Sequence, residues 1–162
     1  MRFLVTSDTM TAMANWAAIW TDFWHLCVAF ALAGTIGWNR EVEEHNTGVR
    51  AFPIVAMASC TFVMIASYHG SDTTAQSRVL QGLVAGIGFI GGGAIMKDGG
   101  TIKGTATAAS VLSAAALGAA VAMDRFAMAA SLTVLNLLAL RALMPIKLKL
   151  DGRSERRRDG KD

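Results

Sequence analysis

Residues 82–93 read GLVAGIGFIGGG, a run of glycine and apolar residues that carries no charge. It contains two GxxxG spacings, Gly82 with Gly86 and Gly88 with Gly92. Because glycine has no side chain, such spacings allow two helix backbones to approach closely in lipid. We therefore predict close helix packing here, against the following apolar segment or against the same helix of a second copy. The residues expected at these contacts are Gly82, Gly86, Gly88, Gly91, Gly92, Gly93, Thr107 and Ser110.

The run is also compatible with two other interpretations. Residues 86–91 also satisfy GxGxxG, but a dinucleotide site needs a preceding strand and an acidic residue about 20 positions further on, and neither is indicated. A locally broken helix that lines a polar cavity is the second alternative, because irregular backbone at membrane depth must be covered by protein or water.

The composition indicates an integral membrane protein. Of 162 residues, 53% are hydrophobic and 17% are charged, and the mean hydropathy is +0.42, whereas soluble domains carry about a quarter charged residues. We predict an all-α fold, a polytopic transmembrane bundle of about five spans. The apolar stretches are 16–38, 52–68, 79–96, 105–123 and 126–143. The domain boundaries that follow are an N-terminal segment (1–15), a transmembrane domain (16–144) and a basic cytoplasmic tail (145–162).

Basic residues predict the orientation, since loops retained in the cytoplasm carry an excess of Lys and Arg. With five spans, twelve of the fifteen basic residues lie on the side of the C-terminus, and Arg2, Arg78 and Arg125 lie on the other. The N-terminus is therefore expected outside and the C-terminus inside a bacterial inner membrane. The tail is expected to be disordered or to lie on the membrane surface, as an anchor or as a site for anionic lipid.

Charged residues at the ends of the predicted spans are the candidate functional cluster. Charge at membrane depth is costly and is usually paired, and the negative charge of Glu41 opposes the positive charge of several cations in this group. These residues either snorkel to the interface as anchors or form a surface for a ligand or partner. The cluster consists of Arg40, Glu41, Arg50, Arg78, Lys97, Asp98 and Lys103.

The remaining polar residues do not indicate catalysis. Asp22 and His25 share a helix face, and a capping aspartate with a packed histidine is favoured over a metal or proton site. No nucleophile lies beside a base in the sequence, and the three histidines are far apart. We expect no enzymatic activity, no cofactor, no metal site and no nucleic-acid partner. The lipid bilayer, a membrane protein partner and a second copy are the expected interactions.

The sequence resembles the MgtC/SapB family of bacterial membrane proteins. The resemblance is carried by RVLQG (78–82) continuing through GIGFIGGGAI (86–95), by IKGTATAAS (102–110), and by GWNRE (37–41) and GVR (48–50). It covers residues 30–123. Three residues depart from the family pattern. Lys103 stands where the family usually has Arg, Asn39 where an acidic residue is common, and Ala51 where Thr often follows the Arg of the GVR block. The chain is expected to be a short member without the soluble C-terminal domain of some relatives.

The resemblance implies a role in adaptation to low magnesium and in virulence. It implies a regulatory or accessory action, with the membrane ATP synthase proposed as the partner of some members. Transport of Mg²⁺ or another ion is the alternative. A transporter should have a polar path between the Gly-rich third span and the fourth span, which is rich in Ala, Ser and Thr, whereas a regulatory protein should have a closely packed interior.

Overall fold

The computed structural model describes the backbone of residues 3–44, 50–68, 73–98 and 101–159, and side chains within 16–39, 50–67, 74–97 and 102–142. In these residues the chain forms five helices and one two-stranded hairpin. The elements are α1 (Phe3–Glu44), α2 (Ala51–Tyr68), α3 (Thr73–Gly93), β1 (Met96–Asp98), β2 (Thr101–Lys103), α4 (Thr105–Ala122) and α5 (Phe126–Asp159). The predicted all-α class is confirmed.

Each predicted apolar stretch lies in its own helix, but several boundaries differ. The third helix ends at Gly93, because consecutive glycines are poor helix formers. The next residues form the hairpin, in which Met96 pairs with Lys103 in antiparallel register. Gly104 then has a φ of 85°, and an added Cβ would overlap the carbonyl oxygen of Ala94. Only glycine meets both requirements, so this residue is needed for the entry into α4.

The first and last helices are longer than the predicted spans. The backbone of α1 is helical from Phe3, and α5 continues to Asp159 through the basic segment. Residues 145–159 of the predicted tail are therefore helical rather than disordered in the structure. Leu, Lys and Arg make up eight of these fifteen residues, and all three have high helix propensity.

By length and apolar composition, two helical segments of the described chain can cross a membrane. These are Trp16–Asn39 within α1 and Thr105–Ala122, which is α4. Ala51–Ser67 and Phe126–Ala142 are apolar but shorter.

The fourth helix is the centre of the bundle, as its small side chains predicted. It contacts each of the other four helices. At its closest approach, Gly118 lies against Ala56 of α2, where an added Cβ would overlap the Ala56 carbonyl oxygen. The contact between α2 and α4 is therefore backbone against backbone, which only glycine permits.

Alanine accounts for half of the buried apolar residues in the described part of the chain, and many large apolar side chains lie outside. Ala33, Ala56 and Ala114 are fully buried, whereas Trp38 is 69% exposed and Phe89 is 86% exposed. A soluble core shows the reverse, because burial of large apolar side chains is what stabilises it in water. In lipid, small residues permit close helix packing and large ones face the acyl chains.

Candidate functional site

One end of the bundle is held by a hydrogen bond between α1 and α5. Arg141 donates from Nε to Oδ1 of Asn39 over 3.0 Å. Asn39 is buried, with 8% of its surface exposed, while Arg141 is exposed. The hairpin lies at this end too. The helix α4 starts beside the hairpin and runs to the far end of the bundle, and α5 returns from there toward Arg141. We call the end with Asn39, the hairpin and Arg141 the hairpin end.

The predicted polar cluster is brought together only in part. Arg50 at the start of α2 and Lys97 and Lys103 in the hairpin are exposed. Arg78 is exposed near the start of α3, so it lies at the opposite end from Lys97, which follows that helix. The side chains of Arg40, Glu41 and Asp98 lie outside the described residues. The backbone of Arg40 and Glu41 continues α1 directly beyond Asn39.

The other end of the bundle carries a histidine between two acceptors. His25 Nδ1 lies 2.7 Å from the Thr21 carbonyl oxygen, and Nε2 lies 2.9 Å from Oδ1 of Asp124. Asp124 is in the turn between α4 and α5, with a φ of 58°. The ring is packed against Phe126 at a centroid distance of 5.4 Å. We call the end with His25 and Asp124 the turn end.

Sequence reasoning missed both partners, Arg141 and Asp124. They are 102 and 99 residues from Asn39 and His25, and neither pair shares a helix or a local motif. The lone buried Asn and His did carry a signal, since polar groups in an apolar helix need a partner. That signal does not identify which distant residue supplies it.

The glycines of α3 differ in their surroundings. An added Cβ at Gly91 would lie 3.5 Å from the Ala108 carbonyl oxygen, so Gly91 lies at the contact with α4. Thr107 and Ser110 of α4 are buried. At the other five glycines nothing in the described chain lies within 4 Å of an added Cβ, so a contact with a second copy stays a prediction for them. These are Gly82, Gly86, Gly88, Gly92 and Gly93.

The contact between α3 and α4 is closed by apolar side chains. Ile87 packs with Phe52 of α2 and with Val111 and Ala114 of α4. The Ser110 hydroxyl donates to the carbonyl oxygen of Ala106 over 2.8 Å, so its hydrogen bond is made within its own helix. The described side chains at this contact are therefore mainly packing residues.

A groove of about 500 Å³ lies instead between α2 and α3. Ile54, Phe62 and Ile90 contribute to its apolar lining, and Gly82 and Gly86 form part of its α3 wall. Ser59 also lines it, and its fully buried hydroxyl has no hydrogen-bond partner among the described residues. Ile87 lines this groove and also belongs to the packed cluster with Val111 and Ala114 of α4.

The fold and the two polar ends define an all-α bundle with a small-residue core and an apolar exterior. The sequence model of the MgtC family matches residues 26–148. The chain belongs to the MgtC family. Proteins of this family are membrane proteins linked to adaptation to low Mg²⁺ and to virulence.

Individual relatives agree with this assignment. The chain is 35% identical over 121 residues to an uncharacterized protein, slr0014, of Synechocystis sp., covering 75% of the chain and 51% of that protein. It is 33% identical over 143 residues to Protein MgtC of Brucella abortus, covering 86% of the chain and 60% of that protein. It is 30% identical over 115 residues to Protein MgtC of Salmonella typhimurium, covering 71% of the chain and 49% of that protein. The chain thus matches about half to three-fifths of each relative's length. No solved structure matches it.

Proposed function

We propose that this protein is a multi-pass inner-membrane accessory factor in adaptation to low magnesium and in virulence. In this proposal it acts by contact with a membrane protein partner, such as the ATP synthase, rather than by moving an ion. Its hairpin end is the docking surface and faces the cytoplasm. The observation that carries the proposal is the combination of a closely packed interior with exposed cations at that end.

The distribution of side-chain sizes supports the membrane assignment. Trp16, Trp20 and Trp24 follow one another at one-turn intervals on α1 and are more than 60% exposed, and Trp38 is exposed near the hairpin end. Indole rings are enriched at both membrane interfaces. Trp24 and Trp38 are about 21 Å apart along the helix axis, a separation that suits two interfacial positions on a thin or locally thinned hydrocarbon core.

The packing between α3 and α4 supports an accessory role over transport. Transport would require polar groups along this contact, and the described residues there include the apolar Ile87, Val111 and Ala114. Ser110 directs its hydroxyl to its own helix. The exposed cations Arg50, Lys97 and Lys103 offer a surface for an acidic partner or for lipid phosphate at the hairpin end.

Growth and flux measurements together test this function. Expression of the chain in a strain that lacks its own copy should restore growth in low magnesium. Purified protein in liposomes should give Mg²⁺ flux no greater than protein-free liposomes, since no polar path is expected between α3 and α4. A saturable flux that requires the protein would contradict the accessory role and favour transport.

Cysteine labelling tests the proposed topology. In a background with Cys27→Ala and Cys60→Ala, Asn46→Cys should resist a membrane-impermeant maleimide in intact cells and react after permeabilisation, because the loop between α1 and α2 is expected inside. Arg125→Cys, in the turn between α4 and α5, is the matched control and should react in intact cells. Reaction at position 46 before permeabilisation would refute the orientation.

A further inference from the structure

Both ring nitrogens of His25, at the turn end, lie within hydrogen-bond distance of an oxygen acceptor. Nδ1 is 2.7 Å from the Thr21 carbonyl oxygen, and Nε2 is 2.9 Å from the Asp124 carboxylate. A carbonyl oxygen and a carboxylate oxygen only accept hydrogen bonds, so each ring nitrogen has to donate. A neutral imidazole has one N–H, and an imidazolium has two. Both contacts are therefore hydrogen bonds only when His25 carries the additional proton.

The same contacts join parts of the chain that are distant in sequence. The bond to Thr21 is made within α1, whereas the bond to Asp124 connects α1 to the turn between α4 and α5. Asp124 is 77% exposed, while the His25 side chain is 9% exposed. The exposed partner gives water and protons access to the bond, and the buried ring holds its position because Phe126 packs against it.

The groups that face the ring come from four elements. Asp22 lies on α1, Asp124 lies in the turn, and α2 contributes Met64 and Ser67 to the same cavity of about 220 Å³. Phe126 belongs to α5. Among the described residues that line this cavity, the two carboxylates are the charged groups besides the ring itself. Burial of the ring opposes its charge, whereas the two carboxylates favour it, and no cation lies among these lining residues.

We propose that His25 is a proton-dependent latch between α1 and the α4–α5 turn. With the proton bound, the imidazolium donates to Thr21 and to Asp124, and the turn end is closed. When the proton leaves for solvent, the neutral ring keeps one N–H and one of the two bonds is lost. Retaining the bond to the Thr21 carbonyl within its own helix leaves the carboxylate of Asp124 unpaired, and the turn separates from α1.

The direction of the pH effect follows from proton linkage. The closed bundle holds a proton that the opened or unfolded chain releases, so raising the pH favours opening. The latch therefore stabilises the bundle at acidic pH, and its contribution is lost as the pH rises through the titration of the ring. Histidine is the side chain whose charge ordinarily changes between about pH 5 and about pH 8.

Thermal unfolding of the full chain in lipid nanodiscs tests the latch. We expect the melting temperature of the wild type to fall by about 3 to 10 °C between about pH 5 and about pH 8. His25→Gln and Asp124→Asn should each remove most of this difference. Two controls, Arg125→Gln in the same turn and His69→Gln elsewhere in the chain, should keep the wild-type difference.

Spin-label distances show whether the turn itself moves. In a background with Cys27→Ala and Cys60→Ala, labels are placed at Trp20→Cys and Met128→Cys, two exposed positions on α1 and α5. They should give one narrow distance at about pH 5 and a broader, longer distribution at about pH 8. The same pair of labels in the Asp124→Asn variant should give a similar distance distribution at both pH values. Equal pH dependence of melting in wild type and in both latch variants, or an unchanged label distance in the wild type, would overturn the proposal.

Discussion

Gly118→Ala is expected to prevent the protein from assembling into a stable bundle. The added Cβ would overlap the carbonyl oxygen of Ala56 in α2, and a backbone atom cannot rotate away as a side chain can. Overpacking a core costs about 1–3 kcal/mol, and more when backbones must separate. The yield of monodisperse protein in detergent and its melting temperature measure the effect, and both should fall sharply.

Gly88→Ala is the matched control, because nothing in the described chain lies within 4 Å of an added Cβ there. It should give wild-type yield if α3 faces lipid at this position. Equal yields for Gly118→Ala and Gly88→Ala would show that the contact between α2 and α4 does not limit assembly. A loss confined to Gly88→Ala would instead support the predicted contact of the Gly-rich face with a second copy.

Arg40→Lys, Arg50→Lys and Glu41→Gln are expected to insert normally yet fail to restore growth in low magnesium. Lys retains the charge and can snorkel as Arg does, but it cannot make the two parallel hydrogen bonds of a guanidinium. Loss of a charged hydrogen bond costs about 1.5–3 kcal/mol, which is about a tenfold to a hundredfold weaker partner contact. The measurement is growth in low magnesium of a strain that lacks its own copy and expresses each variant, with membrane levels of the variants compared by immunoblot.

The control for this series is Arg125→Lys, an exposed residue at the turn end. It makes the same chemical change away from the proposed docking surface and should restore growth fully. If the three hairpin-end variants also restore growth at wild-type levels, Arg40, Glu41 and Arg50 are interfacial anchors, and the docking surface has to lie elsewhere. Poor membrane levels of a variant would indicate an anchoring role in insertion, which likewise contradicts docking.

The candidate site could be predicted from sequence only to the level of which residues are unusual. Charges next to apolar segments identify Arg50, Lys97 and Lys103 without structural information, because such groups are costly near lipid. By the same criterion Arg78 was predicted to belong to this cluster. The direction of α3 separates Arg78 from Lys97, since the two ends of this helix of 21 residues are about 30 Å apart.

The identity of polar partners required the tertiary structure. Asn39 and His25 are both recognisable as polar residues in an apolar helix, but their partners, Arg141 and Asp124, are about a hundred residues away. A hydrogen bond depends on a separation of about 3 Å and on direction. The local sequence gives neither the separation nor the direction of these groups, because both result from how α1, α4 and α5 pack together.

The sequence by itself determined the helical class, the five apolar segments, the central position of α4 and membership of the family. These follow from local properties, namely hydropathy over a helix length and the residue types in a motif. Only the tertiary structure decided which glycines lie against another helix. GxxxG spacing in α3 marks a surface that permits close approach, yet the tightest glycine contact between two helices is Gly118 of α4 on Ala56, outside that run. In lipid both faces of a helix can be apolar, so hydropathy does not distinguish the face that meets another helix from the face that meets acyl chains.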